Sequence, residues 1–107
     1  MNAQVKIYSL LNKMESKDPD IRYQAMESLH ELDVDQLAIP VFIDMIKAAG
    51  KQYPEPIDDM DDPSFCIMTF VYEYSHPDMM NAIEKAFPTM SPRAKSKALE
   101  MLQLLNR

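Results

Sequence analysis

Apolar residues recur along this chain at helical spacing. Ala3, Ile7, Leu10, Leu11 and Met14 fall at i, i+4, i+7, i+8 and i+11, one stripe of a helix over about residues 3–14. Ser16-Lys17-Asp18 breaks the pattern. Asp18 can cap a second helix, because its carboxylate accepts a free backbone N–H, and Pro19 suits a first helical position. That helix runs to about Leu32 with Ile21, Ala25, Leu29 and Leu32 inward. After the turn Asp33-Val34-Asp35, a third helix starts within residues 36–39 and stops before Gly50, striped by Ala38, Phe42, Met45, Ile46 and Ala49. Pro40 must lie in its first turn, where the missing N–H is harmless.

Residues 51–63 differ in kind. Lys51-Gln52-Tyr53-Pro54-Glu55-Pro56-Ile57-Asp58-Asp59-Met60-Asp61-Asp62-Pro63 holds three prolines and five acids, which excludes regular structure for most of it. Loops this long are uncommon in compact domains and are often functional. The run Phe65 to Tyr72 is nearly all apolar, and periodicity alone fits a central helix or a buried strand. Asp62-Pro63 supplies a cap and a first position, and no partner strand is evident, so a helix over about 63–75 is the better reading. Beyond the break His76-Pro77-Asp78, a helix over about 78–87 places Met79, Ile83, Ala86 and Phe87 inward. A last helix runs from Pro92 to about Asn106 on Ala94, Ala98, Met101, Leu102 and Leu105. Its basic first turn opposes the helix dipole, which implies another task for those cations or nearby acids to pair with them.

An internal echo links two of these helices. Offsets of +3, +6 and +10 from Pro19 give Arg22, Ala25 and Leu29, and from Pro92 they give Lys95, Ala98 and Leu102. The small alanine lets helices approach and the leucine fills the groove between them. On these residues, and on Asp18-Pro19 through Leu29, Asp33 and Ala38 through Ile46, the chain resembles a HEAT-type helical repeat. The resemblance covers residues 18–46 and 91–105 and implies an all-α fold, a short HEAT-like α-α superhelix of about six helices. Repeats of that kind build binding surfaces and seldom hold active sites.

Composition narrows the picture. At 107 residues the chain suits one domain, 1–107, and its 47% apolar content supports a core. A single glycine argues against sandwiches and barrels. One cysteine, Cys66, allows no internal disulfide, and no window approaches the roughly 20 apolar residues of a membrane span, so a cytoplasmic protein without membrane contact is expected. The net charge of −6 is uneven: −2 over residues 1–51, −8 over 52–84 and +4 over 85–107. The acidic middle would repel phosphate backbones, which disfavours nucleic acid as a direct ligand.

Candidate chemistry is sparse. His76-Pro77-Asp78 matches the tripeptide of J-domain co-chaperones, but the helix before it lacks the bases those domains carry, and a proline in a first helical turn explains it. Counted from Asp58, an EF-hand would need glycine where Pro63 stands and glutamate where Thr69 stands. Cys66 has no basic neighbour to activate it, His30 and His76 show no metal-ligand spacing, and no glycine-rich phosphate loop exists. No cofactor is implied. Most of the ten methionines sit on helical stripes, with Met60 the exception.

Small, acidic, single-domain helical chains of this character resemble the immunity proteins of bacterial toxin systems, including contact-dependent inhibition. The resemblance implies a protein-binding inhibitor, not an enzyme, that occludes the basic active-site surface of a cognate toxin domain, with an acidic loop mimicking phosphate. The expected contact residues are Tyr53, Glu55, Ile57, Asp58, Asp59, Met60, Asp61 and Asp62, joined by Tyr72, Glu73 and Tyr74 if the fourth helix exposes its end there. The partner would be a basic protein, met by a monomer or weak dimer. The rival reading is a HEAT-like adaptor that binds a peptide in a helical groove, with a silent loop.

Overall fold

A computed structural model describes residues 2–34 and 36–106. Its helices are α1 (Ala3–Lys13), α2 (Pro19–Glu31), α3 (Ile39–Ala49), α4 (Pro63–Tyr72), α5 (Met80–Ala86) and α6 (Pro92–Leu105). Short 3₁₀ turns, Pro77–Met79 and Phe87–Thr89, flank α5. The fold is all-α, and no strand occurs among the described residues. The expected helix over 78–87 is therefore an α-helix of two turns between two tighter turns, because Pro77 and Pro88 each set a 3₁₀ start.

The helix ends follow local chemistry. The side chains of Asn2, Asp18, Asp62 and Ser91 accept N–H bonds in the first turns of α1, α2, α4 and α6, each worth about 1 kcal/mol. Proline stands at the first or second position of α2, α3, α4 and α6, as the pattern requires, with Pro40 inside the first turn of α3. Gly50 ends α3, but for a reason other than a left-handed cap. Its φ is −89°, and a Cβ there would lie 3.0 Å from both the Ala86 Cβ and the Thr89 Oγ1. The glycine admits the end of α5 against the end of α3.

Packing builds two layers from three hairpins. The hairpins are α1–α2, α3–α4 and α5–α6; α1, α3 and α5 pack in one layer, and α2, α4 and α6 in the other. The slab is 18 Å in its thinnest dimension, close to two helix layers. Helix α4 lies at the centre, against α2, α3 and α6. Its Pro63, Ser64, Cys66, Ile67, Met68, Phe70 and Val71 are buried, and the strip of Phe65, Thr69 and Tyr72 is half-exposed. Most of its circumference is buried, and two of the three half-exposed residues are aromatic, which is why periodicity could not separate helix from strand.

The echo between α2 and α6 has structural content. Ala25 and Ala98 are both buried in the even layer, on the helices that flank α4. Leu29 is buried and Leu102 half-buried. The expected stripe of α2 is corrected by one position: Ile21 is exposed and Arg22 turns inward with Ala25, Met26 and Leu29.

Candidate functional site

Arg22 explains that correction, and it organises the long loop. Its Nε donates to Asp61 Oδ1 at 3.0 Å and its Nη2 to Asp61 Oδ2 at 2.5 Å. Its Nη1 donates to the carbonyls of Ser16 and Lys17, in the α1–α2 turn, at 2.9 and 3.2 Å. Both side chains of the pair are almost wholly sealed from solvent, at 2% and 1% exposed. Asp61 Oδ2 also accepts the Ile57 N–H. The guanidinium fork holds the Asp61 carboxyl below its ordinary range against the opposing effect of burial, with the Ile57 N–H adding to the depression.

Asp61 thus does not belong to the exposed acidic surface expected of the loop. It is the anchor that ties residues 57–61 to α2. Its loop neighbours are tied as well. Asp58 Oδ1 accepts from Met60 N at 2.9 Å and from the Tyr23 hydroxyl. That carboxylate raises the Tyr23 phenol to about 12, because a proton on the phenol is what it binds. Asp62 caps α4 through Phe65 N and accepts from Ser91 Oγ at 2.9 Å, which joins the first turns of α4 and α6. Arg93 donates to the Asp59 carbonyl at 2.9 Å, with its guanidinium 4.2 Å from the Phe65 ring centre. The basic start of α6 therefore has its tasks: Lys95 and Lys97 lie over the rings of Phe87 and Tyr72 at 5.7 and 4.6 Å.

The remaining candidates divide by position. Glu55, Ile57, Asp58, Asp59 and Met60 are exposed, Ile57 at 58% and Met60 at 74%. Tyr53 is half-buried and donates to the Ala48 carbonyl at 2.6 Å, and burial pushes its phenol upward. Tyr72, Glu73 and Tyr74 are not brought to the loop. They lie at the far end of α4 from Asp62, roughly 15 Å along its axis. Tyr74 instead stacks on Phe42 and Phe70, with ring centres 5.0 and 5.3 Å apart, and its hydroxyl points at the Val34 carbonyl.

A groove of about 520 Å³ opens beside the loop. Tyr23, Met26, Glu27 and His30 of α2 form one wall at i, i+3, i+4 and i+7. Phe65, Cys66 and Thr69 of α4 make the floor, Arg93 the opposite rim, and Asp58, Met60 and Asp62 the end nearest the loop. The wall and floor residues were not among the contacts expected from sequence. One signal was available: Tyr23 and His30 lie off the apolar stripe of α2, two turns apart on the same side. The Cys66 thiol is buried and pushed up to about 12 by desolvation, which makes it a structural thiol. Among the described residues, no group of three or more His, Cys, Asp or Glu side chains is placed to hold a metal ion, and no helix is long and apolar enough to cross a membrane.

Comparison with protein-family models, with curated proteins and with solved structures finds no match to this chain.

Proposed function

We propose that this protein is a non-catalytic inhibitor that captures a cationic protein, in the manner of an immunity protein covering the basic cleft of a toxin domain. One observation carries the reading. The buried Arg22–Asp61 fork pins an irregular loop so that it holds Ile57 and Met60 out in solvent, ringed by Glu55, Asp58 and Asp59. Two large apolar side chains held in water do nothing for folding. On a partner they supply the apolar centre of an interface, and the carboxylates supply its charged rim. A pinned loop also loses little conformational freedom when it docks, which favours affinity. The carboxylates speed encounter with a basic surface in a salt-dependent way.

The peptide-adaptor reading has its own support in the groove, but groove and loop share Asp58 and Met60. They form one continuous surface. The test is capture from native lysate at low and high salt, with the captured protein identified by mass spectrometry. The wild type is compared with a Glu55→Gln, Asp58→Asn, Asp59→Asn triple variant that leaves Asp61 and Asp62 intact. The expected result is a basic protein that is released by salt, lost in the variant, and inhibited on readdition of the purified chain. Equal capture by the variant at both salt concentrations would overturn the role of the loop.

A further inference from the structure

We infer that the groove between α2 and α6 is the seat of a basic amphipathic helix from that cationic partner, with one apolar side chain on its floor and a lysine or arginine one turn away against its acidic rim. The inference rests on the reading above and names the element of the partner that is recognised. The floor offers mainly apolar contact. Its hydroxyl, on Thr69, already donates to the Phe65 carbonyl at 2.9 Å, and the Cys66 thiol faces the Met26 carbonyl at 3.7 Å. No side-chain donor is left free there to orient a small polar ligand.

The rim is what selects sign. Glu27, Asp58 and Asp62 face the groove against Arg93 and His30. Arg93 is engaged by the Phe65 ring and the Asp59 carbonyl but keeps its charge, so the rim sets three carboxylates against one guanidinium and is net negative. From Tyr23 to His30 the α2 wall runs about 10 Å, two helical turns. An amphipathic helix laid in such a channel reads it through anchors at i and i+3 or i+4. Met60, unbranched and exposed at the mouth, can fold down over an apolar anchor of varied shape.

The test follows backbone amides of the isotope-labelled full chain by NMR during titration with three synthetic probes. One is a short leucine–lysine amphipathic helix, the second the same helix with glutamate for lysine, and the third oligolysine. The expected result is that the leucine–lysine helix moves the amides of Met26, Cys66 and Thr69. Its affinity should fall about tenfold in Met60→Ala and in Glu27→Lys, each an exposed position, since one such contact is worth about one decade. Glu27→Lys should in turn gain binding of the glutamate helix. Oligolysine should move only residues 55–60. The inference is overturned if the leucine–lysine helix moves only residues 55–60, which leaves the acidic-loop reading standing while removing the groove. It is overturned equally if the glutamate helix binds as well, if no probe moves any amide, or if dilution alone moves the groove amides, which would seat a second copy of the chain there.

Discussion

Removing Asp61 is the sharpest perturbation this structure invites. In Asp61→Ala the Arg22 guanidinium stays buried but loses both arms of its fork, and Ile57 N loses its acceptor. Breaking a buried pair from one side costs about 3–5 kcal/mol. The lower end applies here, about 3 kcal/mol, because the pair lies beneath a surface loop, and Arg22 keeps the Ser16 and Lys17 carbonyls. For a chain of this size that is a fall in Tm of roughly 10–15 °C. Replacing both partners at once, as Arg22→Met with Asp61→Leu, removes the stranded charge and should cost far less, about 1 kcal/mol. Urea unfolding of the wild type, Arg22→Met, Asp61→Leu and the double variant gives the coupling directly. A loss below about 1 kcal/mol in Asp61→Ala, or a double variant as unstable as the two singles summed, would refute the anchoring role.

The same pair sets the acid limb of stability. Asp61 is held below its ordinary 3.8, first by the Arg22 fork. Between the depressed folded value and the unfolded one, the unfolded chain binds the extra proton, so stability falls as pH falls. The contribution is complete above about pH 4 and disappears as pH drops through the folded value. Urea midpoints of Asp61→Asn should lack this component of the acid decline, while the wild type shows it. Amide exchange at Ile57 in Asp61→Asn should also quicken, since the neutral amide no longer holds the loop so firmly.

Three further outcomes are expected. Gly50→Ala should destabilise the fold by about 1–3 kcal/mol in urea unfolding, because the Ala86 carbonyl at 3.1 Å from the added carbon is backbone and cannot rotate aside. Tyr23 should titrate near pH 12 by ultraviolet absorbance; its bond to Asp58 supports the fold below pH 10 and is lost as pH rises through about 12, and Tyr23→Phe should abolish that alkaline loss. Cys66 should resist a disulfide reagent at pH 8 in the folded chain and react within the mixing time in denaturant, since burial holds its thiol at about 12.

The helices were legible wherever one face alone is buried. Of the stripe expected in α1, Ile7, Leu11 and Met14 are buried and Ala3 and Leu10 partly so; in α3 Phe42, Met45, Ile46 and Ala49 are buried, while Ala38 is exposed at the N-cap. Prolines marked the starts because a first turn has no use for the missing N–H. Legibility failed at α2, where Ile21 was placed on the inner stripe and Arg22 was left off it. A carboxylate thirty-nine residues away draws Arg22 inward, and no local pattern reports it. The candidate site shows the same limit. Composition marked residues 55–62 as acidic but treated their aspartates as equivalent. Tertiary partners then divided them, and at the other end of α4 the packing of Tyr74 on Phe42 and Phe70 half-buries it.

That division decides what a partner would meet. Asp61 is neutralised by Arg22 inside the fold and adds little to the outer field. Asp58 and Asp62 keep their charge while accepting neutral donors, Tyr23 and Met60 for one and Phe65 and Ser91 for the other. They are charges fixed in place. Asp59 carries its carboxylate outward while its carbonyl is held by Arg93. A loop of freely moving acids would bind any cation loosely and lose freedom on binding. Fixed carboxylates around Ile57 and Met60 instead present one geometry, and a cationic surface that fails to match it leaves charges unpaired at a cost that discriminates. Under the proposed function, the buried pair would contribute less to attraction than to selection. Asp61→Asn, which keeps the shape of the anchor and loosens it, should leave long-range encounter with a basic protein nearly unchanged while shortening the life of the complex, a division between kon and koff that stopped-flow binding resolves.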